Sequence, residues 1–385
     1  MINDFFIIIS NPDENKQSYD SFSINQNKNK VYFSSNLPFT PFFYKLDREN
    51  GRLLISSDVN YLEDKYYDGN KYNADFFSFD EHLNYNITTL NDSSTFLGHP
   101  FFEYYFDLDT LELSKKLKEN FAINQFIEDF ESSKQMLKET LIKIFKKYYV
   151  ENPVILFSGG VDSSFIALML KHLNPELITL GIKGFQNHDY HEAEKVANFL
   201  GLKLNYLEVE LEDVEKAIPE VIKIIGSYET VKVEVGLVSY LLYKNGNIKQ
   251  RNVFAGLGSE ELFAGYERHI SNPFVECFSG TFNVFHRDYY RDYAIAKHFK
   301  NKVYLPLLDE ELIPVALAIK NFKIYDEHKK YILRVVASEL GLKDYAFRKK
   351  LAAQYGSSIS KAVEKIAKKN GFKYKKDFLK SLINL

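Results

Sequence analysis

The chain has 385 residues, of which 45% are hydrophobic and 26% charged, and its formal net charge is −3. This balance excludes wholesale disorder and collagen-like classes, and the length predicts two domains. No apolar run approaches the roughly 18 residues of a membrane helix, so we expect a cytoplasmic protein with no membrane partner. Its one cysteine, Cys277, excludes an internal disulfide and any multi-cysteine metal site.

The N-terminal third is rich in Phe, Tyr, Asn and Asp and predicts a smaller, mostly β domain over residues 1–123. Alternating runs such as FFYKLD and RLLISSD are typical of half-buried strands. The intervening DRENG predicts a hairpin, because Asn and Gly tolerate the positive φ of a tight turn. From about Asn124 apolar residues recur at three- and four-residue spacing, which predicts a long amphipathic helix and a second domain over residues 124–385.

Strands and helices alternate along the second domain. PVILFSGG, ELITLGIKG, KLNYLEVEL and RNVFAGLG are typical of buried strands, and helical patterns separate them. This alternation predicts an α/β fold with a doubly wound parallel sheet. From about Asn272 onward the sequence predicts a mainly helical C-terminal part.

The strongest functional signal is the run FSGGVDSS between a buried strand and a helix. Its glycines leave backbone N–H groups unobstructed, its serines add hydroxyl donors, and the helix presents its positive N-terminal end. Asp162 would repel phosphate unless a cation lay between them, which predicts a Mg²⁺ ligand. The alternative is a plain strand-to-helix turn. The predicted pyrophosphate-binding residues are Ser158, Gly159, Gly160, Val161, Asp162, Ser163 and Ser164.

A second loop begins at Gly256, after the strand RNVFAGLG. Gly256 and Gly258 end that strand closely, and Glu260 and Glu261 open a helix, so at least one carboxylate can face the phosphate loop of the neighbouring strand. Opposed carboxylates predict a Mg²⁺ site. The alternative is that both glutamates only stabilise the N-terminus of the helix.

Together these segments resemble the PP-loop ATP pyrophosphatases, whose signature is Ser-Gly-Gly-x-Asp-Ser, and within them the synthetase domain of the asparagine synthetase and β-lactam synthetase family. GFQNHD at residues 184–189, YET at residues 228–230 and RKK at residues 348–350 also match, in the expected order. The resemblance implies ATP and Mg²⁺ as cofactors and Gly258 in the nucleotide site. It also implies Asp162 and Glu260 as catalytic metal ligands, with Glu260 replacing the Asp of the family, and Lys350 as the catalytic lysine.

The sequence departs from the family in two places. Asparagine synthetases carry Glu, and β-lactam synthetases Tyr, where this chain has Leu257, so the carboxylate substrate stays open. Residues 40–115 resemble a class II glutamine amidotransferase domain, but position 2 is Ile2 rather than a mature N-terminal cysteine. We therefore expect a degenerate amidotransferase-like domain without glutaminase activity.

The resemblance implies a synthetase that adenylates a small-molecule carboxylate, releases pyrophosphate and forms an amide with ammonia or an amine. A separate glutaminase could supply the ammonia. One alternative is a PP-loop tRNA-modifying enzyme acting on a base carboxylate, because residues 343–380 carry 12 Lys and Arg against three acids. A solvated helix face explains the same charge. A non-catalytic nucleotide-binding scaffold is a further alternative, and the oligomeric state, a homodimer included, stays open.

Several further residues are weaker candidates for the functional site. Tyr266, Arg268 and His269 follow the second loop on the predicted helix, as in the family, but a packed Tyr and a surface Arg are equally natural. His188 and His191 are best explained by a surface loop.

Overall fold

The computed structural model describes residues 6–9, 16–19, 22–27, 29–35, 41–48, 52–56, 74–79, 85–90, 95–121, 123, 125–185, 188–348 and 356–382. The chain divides into two compact units. Met1–Gln125 with Phe278–His286 form the first unit, and Phe126–Cys277 with Arg287–Leu385 form the second. No helix in these described ranges is long and apolar enough to cross a bilayer.

The first unit consists largely of antiparallel strands, which confirms the predicted β region. Their bounds are β1 (Phe6–Ile9), β2 (Lys16–Tyr19), β3 (Phe22–Asn27), β4 (Lys30–Ser35), β5 (Phe43–Asp47), β6 (Arg52–Ser56), β7 (Ala74–Phe79), β8 (Tyr85–Leu90), β9 (Thr95–Leu97), β10 (Phe102–Asp107) and β11 (Glu112–Leu117). One sheet has the order β1-β6-β5-β9, a second β11-β10-β4-β3-β2, and β7 pairs with β8. Strands β5 and β6 form the predicted hairpin.

Aromatic side chains fill the core of the first unit. Burial alternates along β3, so that every second side chain points inward. Phe33 and Tyr104 stack with ring centroids 5.0 Å apart, and Phe42 packs edge-on against Tyr104. His99 is buried, and its Nε2 lies 2.8 Å from the Phe282 carbonyl oxygen. The aromatic-rich composition of this region is therefore used mainly for packing.

The second unit alternates strands with helices. Its strands are β12 (Val154–Leu156), β13 (Glu176–Ile182), β14 (Leu204–Val209), β15 (Asn252–Phe254), β16 (Lys302–Tyr304), β17 (Ile324–Tyr325) and β18 (His328–Lys329). Helices of this half of the chain are α1 (Phe130–Phe145), α2 (Val161–Met169), α3 (His188–Leu200), α4 (Leu211–Ile225), α5 (Thr230–Asn245), α6 (Ser259–Leu262), α7 (Pro273–Val284), α8 (Tyr290–His298), α9 (Leu312–Ala318), α10 (Tyr331–Ala337), α11 (Ile359–Lys369) and α12 (Lys375–Ser381).

Five parallel strands form the central sheet in the order β14-β13-β12-β15-β16. The prediction of a doubly wound α/β fold is confirmed. The chain moves outward from β12 in one direction through β13 and β14, and then in the other through β15 and β16. In such sheets ligands bind at the carboxyl ends of the strands where the order reverses. That point lies between β12 and β15, the two strands that precede the predicted loops.

The structure differs from the predicted elements at three places. Helix α1 begins at Phe130 rather than near Asn124, because Asp129 caps it by accepting a hydrogen bond of 2.7 Å from the Ser132 backbone N–H. Strand β16 lies in the region predicted to be mainly helical. Helix α6 ends at Leu262, and Ala264 has a left-handed φ of 57° that interrupts the predicted continuous helix.

The lysine-rich C-terminal helices belong to the core of the second unit. Ile359, Ala362, Val363 and Ile366 of α11 are fully buried, and they join the hydrophobic cluster formed with α4 and α5. The apolar stripe of α11 is therefore used in packing, and its lysines occupy the opposite, exposed face.

Candidate active site

The loop between β12 and α2 is held by hydrogen bonds among its own residues, most of which involve its serines. The Ser158 backbone N–H donates to Ser163 Oγ at 3.3 Å, and the Ser163 hydroxyl donates to the Gly160 carbonyl oxygen at 3.3 Å. Gly160 is the N-cap residue of α2, with an extended backbone at φ −76° and ψ 164°. The loop thus places the N-terminal N–H groups of α2 at the carboxyl end of a central strand, where they can bind an anion.

The two predicted loops touch each other. A Cβ atom added to Gly256 would lie 2.8 Å from Asp162 Cβ, so only glycine allows this approach. The Ser259 hydroxyl at the start of α6 donates to Asp162 Oδ1 at 2.5 Å. The segment after β15 therefore packs directly on the first turn of α2.

A buried lysine joins the two carboxylates that were predicted as metal ligands. Lys330 Nζ lies 2.8 Å and 3.0 Å from the two Asp162 oxygens and 2.8 Å from Glu260 Oε1. Burial alone would lower the pKa of Lys330, but its attraction to Asp162 and Glu260 outweighs burial and raises that pKa. The ammonium therefore stays charged and neutralises both carboxylates in part.

Lys330 is absent from the sequence-based prediction. It follows Lys329 in the run DEHKKYILR, and nothing in the local pattern distinguishes the two lysines. Only a match between this run and related sequences could have singled it out.

The carboxylate pair has the donor chemistry of a magnesium site that phosphate oxygens complete. Asp162 and Glu260 supply hard oxygen donors around one position, yet no group of three or more His, Cys, Asp or Glu in the described part of the chain could hold a metal. Mg²⁺ is typically held by one or two carboxylates together with substrate phosphates and waters. The donor set therefore suits Mg²⁺ bound jointly with phosphate oxygens.

A cavity of about 440 Å³ extends from the two loops. Ser158, Asp162, Ser163, Gly258 and Glu260 line it, whereas Gly159, Gly160, Val161 and Ser164 are not among the described residues on its wall. The side chain of Ser164 is fully buried. The last predicted site residue, Lys350, lies outside the described residues.

One wall of the cavity is apolar. Helix α5 contributes Val231, Val235, Val238 and Leu242, and the second loop contributes Leu257. These side chains offer no hydrogen bond to a ligand. They form an apolar surface against which an apolar part of a ligand can pack.

Another part of the wall is a chain of ion pairs that the sequence did not predict. Arg287 donates to Glu261 at 2.6 Å and to Asp288 at 2.5 Å. Arg291 pairs with Asp288 at 2.8 Å and with Asp292 at 2.7 Å. All of these residues except Glu261 come from the run RDYYRD, whose alternating charge was the available signal. The network lines this part of the cavity with paired charges.

Glu261 differs from Glu260 in its surroundings. It is fully buried, accepts a hydrogen bond of 2.9 Å from the Tyr266 hydroxyl and pairs with Arg287. Burial first, and then the nearby Asp288, raise the pKa of Glu261 to about 7. Lys330, in contrast, forms an ion pair with Glu260.

The residues after α6 hold one another in place. The Arg268 guanidinium stacks 4.1 Å from the Tyr266 ring centroid, and the Tyr266 backbone N–H donates to His269 Nδ1 at 3.4 Å. Burial lowers the pKa of His269 to about 3. Tyr266 and Arg268 line the cavity, and His269 packs behind it.

Comparisons with known proteins point to one family. Residues 151–303 match the family model described as asparagine synthase. Over 343 residues the chain is 30% identical to a Methanocaldococcus jannaschii protein whose name assigns it provisionally to the glutamine-hydrolyzing asparagine synthetases, covering 77% of this chain and 62% of that protein. It is 26% identical over 321 residues to an asparagine synthetase domain-containing protein of Saccharomyces cerevisiae, covering 71% and 58%.

The chain spans less than two thirds of the length of these two curated relatives. A solved structure described as a "predicted subunit of tRNA methyltransferase" from Methanocaldococcus jannaschii aligns at 20% identity over 57% of this chain and 88% of that chain. Its TM-score is 0.30, which is too low to support a functional argument.

Proposed function

We propose that this chain is an ATP-dependent amide-forming synthetase that works with Mg²⁺, because residues 151–303 match the asparagine synthase family model. The observation that carries the proposal is the contact of Lys330 with both Asp162 and Glu260. These carboxylates come from the two loops at the point where the strand order reverses, which is where α/β sheets bind nucleotides.

In the proposed reaction a substrate carboxylate oxygen attacks the α-phosphorus of ATP, the bond to the bridging β-phosphate oxygen breaks, and pyrophosphate leaves. A nitrogen nucleophile then attacks the carbonyl carbon of the acyl-adenylate and loses a proton, and AMP leaves as the amide forms. Both reactants of the first step, the carboxylate and ATP, carry negative charge, and so does the pyrophosphate that leaves. Groups that stabilise this charge in the transition state lower the barrier of the step.

The residues of the chain have distinct parts in this proposal. The Gly160 N–H and the N-terminus of α2, with the Ser158 and Ser163 hydroxyls, bind the polyphosphate. Lys330 donates to phosphate oxygens once they compete with the carboxylates for its ammonium. Asp162 and Glu260 would hold Mg²⁺, which supplies positive charge at the phosphates when bound. Lys350 is proposed as a second cation over the polyphosphate.

The carboxylate substrate is proposed to differ from aspartate near its reacting end. Leu257 lies on the cavity wall beside the apolar face of α5, so this position cannot bind a polar group of the substrate or take a proton from it. We expect carboxylic acids with an apolar group beside the reacting carboxyl to be preferred over aspartate.

The proposed nitrogen donor is free ammonia, an amine, or ammonia from a separate glutaminase. The one cysteine of the chain, Cys277, is fully buried, and burial raises the pKa of its thiol. A buried thiol of raised pKa is a poor nucleophile. This supports the absence of glutaminase activity from the chain.

The test is pyrophosphate release from ATP and Mg²⁺ with a panel of carboxylates, each with and without ammonium. Asp162→Ala is expected to reduce release by about 100-fold or more, because it removes a carboxylate proposed to hold the Mg²⁺ that would stabilise charge on the polyphosphate. Asp377→Ala is the matched control, since Asp377 also lies in the first turn of a helix but is exposed. Full turnover in the Asp162 variant, or no turnover by the wild-type chain with any carboxylate, would refute the proposal.

A further inference from the structure

Arg348 lies against the phosphate-binding loop from the side of α3. Its Nη1 donates to the Gly159 carbonyl oxygen at 2.6 Å, and its Nε pairs with Glu192 Oε2 on α3 at 3.3 Å. The side chain is only 14% exposed. Because the guanidinium is planar, with donors in a fixed fork, it can make both contacts at once.

The contact with Gly159 controls the direction of the next N–H group. In a planar trans peptide the carbonyl oxygen and the following N–H point in opposite directions. By holding the Gly159 oxygen, Arg348 directs the Gly160 N–H away from itself and toward Ser158 Oγ, which lies 3.4 Å from that nitrogen. A contact of this length is weak, so a phosphate oxygen can replace it.

The backbone of Gly159 permits this arrangement. Its φ is +65°, and a Cβ atom there would lie 2.8 Å from Arg348 Nη1 and 2.7 Å from Ala193 Cα. A side chain at this position would push both Arg348 and α3 away from the loop. The glycine and the arginine are therefore two parts of one close contact.

The backbone of Arg348 is held in turn by Arg334 on α10. Arg334 Nη1 donates to the Ala346 carbonyl oxygen at 2.5 Å and to the Arg348 carbonyl oxygen at 3.1 Å. Helix α10 begins directly after Lys330, the residue that joins Asp162 and Glu260. The same helix thus supports both the lysine and the arginine that reach the phosphate loop.

We infer that Arg348 is a positioning residue that holds the Gly159–Gly160 peptide in the orientation needed to bind the ATP phosphates. The inference rests on the proposed function. The positive guanidinium also polarises the peptide that it binds, which strengthens the Gly160 N–H as a donor to an anion.

The experiment compares Arg348→Ala, Arg348→Lys and Glu192→Gln with the wild-type chain. Dissociation constants for ATP with Mg²⁺ and the KM and kcat of pyrophosphate release are measured for each. Loss of a charge-assisted bond is expected to raise the Kd and KM for ATP by about 10- to 100-fold in Arg348→Ala, with a smaller change in kcat. Arg348→Lys and Glu192→Gln should lie between this variant and the wild type.

Two comparisons separate positioning from a general loss of structure. Arg251 also bonds a backbone carbonyl, that of Asn152 at 2.9 Å, and a glutamate, Glu176 at 3.3 Å, but it lies next to the amino end of β12. Arg251→Ala should leave the affinity for ATP unchanged. Methylguanidinium at millimolar concentration should restore part of the affinity of Arg348→Ala and leave the wild type unaffected.

The outcomes are distinct for the inference and for the proposed function. If the wild type releases pyrophosphate and Arg348→Ala binds ATP equally well, the inference is wrong and the function stands. If the wild type binds ATP without turnover and Arg348→Ala weakens binding, the function is wrong and the inference stands. Equal losses in Arg348→Ala and Arg251→Ala, without rescue by methylguanidinium, overturn the inference, and a wild type that does not bind ATP overturns both.

Discussion

Lys330 neutralises two carboxylates at once, and its removal should be costly in the free chain. In Lys330→Ala, the buried Asp162 carboxylate would lose the cation that neutralises it, and breaking a buried ion pair in this way typically costs about 3–5 kcal/mol of folding free energy. Mg²⁺ placed between Asp162 and Glu260 should compensate. We therefore expect a lower Tm in the variant and a larger rise of that Tm on adding MgCl₂ than in the wild type, measured by thermal unfolding.

The matched control for this prediction is Lys147→Ala. Lys147 also contacts two carboxylates, Asp309 at 3.7 Å and Glu311 at 2.6 Å, but its side chain is 44% exposed. Exposed pairs contribute little to stability, so this control should unfold nearly like the wild type. Equal magnesium responses in both variants would contradict the assignment of the carboxylate pair.

His99 should make the first unit sensitive to acid. Burial lowers its pKa to about 3 from an ordinary value of 6.5, so the unfolded chain binds a proton that the folded chain does not. The stability from neutral His99 is complete above about pH 6.5 and is lost as the pH falls toward 3, at up to about 1.4 kcal/mol per pH unit. His99→Gln should remove this part of the pH dependence in urea unfolding followed by circular dichroism.

The control for the acid sensitivity is His172→Gln, which changes an exposed histidine. It should keep the wild-type pH dependence. Unfolding free energies of wild type and His99→Gln that run parallel between about pH 4 and 6 would show that His99 is not held neutral in the fold.

Among the helices, α11 has an exposed face and a buried face, and we expect only the buried face to contribute substantially to stability. Charge reversal at exposed lysines of the C-terminal segment, in a triple variant with Lys361→Glu on α11 and Lys373→Glu and Lys376→Glu after it, should leave pyrophosphate release within about twofold of wild type, because solvated charges contribute little energy. Ile366→Ala removes a fully buried side chain and should lower the unfolding free energy by about 2–4 kcal/mol. A steep, salt-dependent loss of RNA binding in the triple variant would instead favour the RNA-modifying alternative.

For the whole molecule, the choice of nitrogen source tests whether the chain has glutaminase activity of its own. We expect the purified chain to form amide with ammonium and not with glutamine, and to release no glutamate from glutamine. Adding an unrelated glutaminase together with glutamine should restore amide formation, which serves as the positive control. Glutamate release by the chain alone, measured by a coupled dehydrogenase assay, would refute the expected loss of glutaminase activity.

Much of this architecture could be predicted from the sequence, because it depends on short-range rules. The alternation of strands and helices implied the doubly wound sheet, and FSGGVDSS implied a turn that opens a helix with free N–H groups. Strand β16 was not predicted, because a strand of three residues at the edge of a sheet is too short to show a periodic pattern. Helix α6 was predicted too long because the left-handed backbone at Ala264 has no signature in the residue type.

Local sequence patterns predict the fold class, a phosphate-binding loop and the carboxylates near it, since each is encoded within a few neighbouring residues. Long-range packing, in contrast, places Lys330, 168 positions away from Asp162, between the two carboxylates, and places Arg348 against the Gly159 carbonyl. The chain contains 49 lysines and arginines, and the local sequence pattern does not distinguish these two from the others. Burial and hydrogen-bond geometry, which depend on long-range packing, determine that Lys330 and Arg348 are the residues that reach the site.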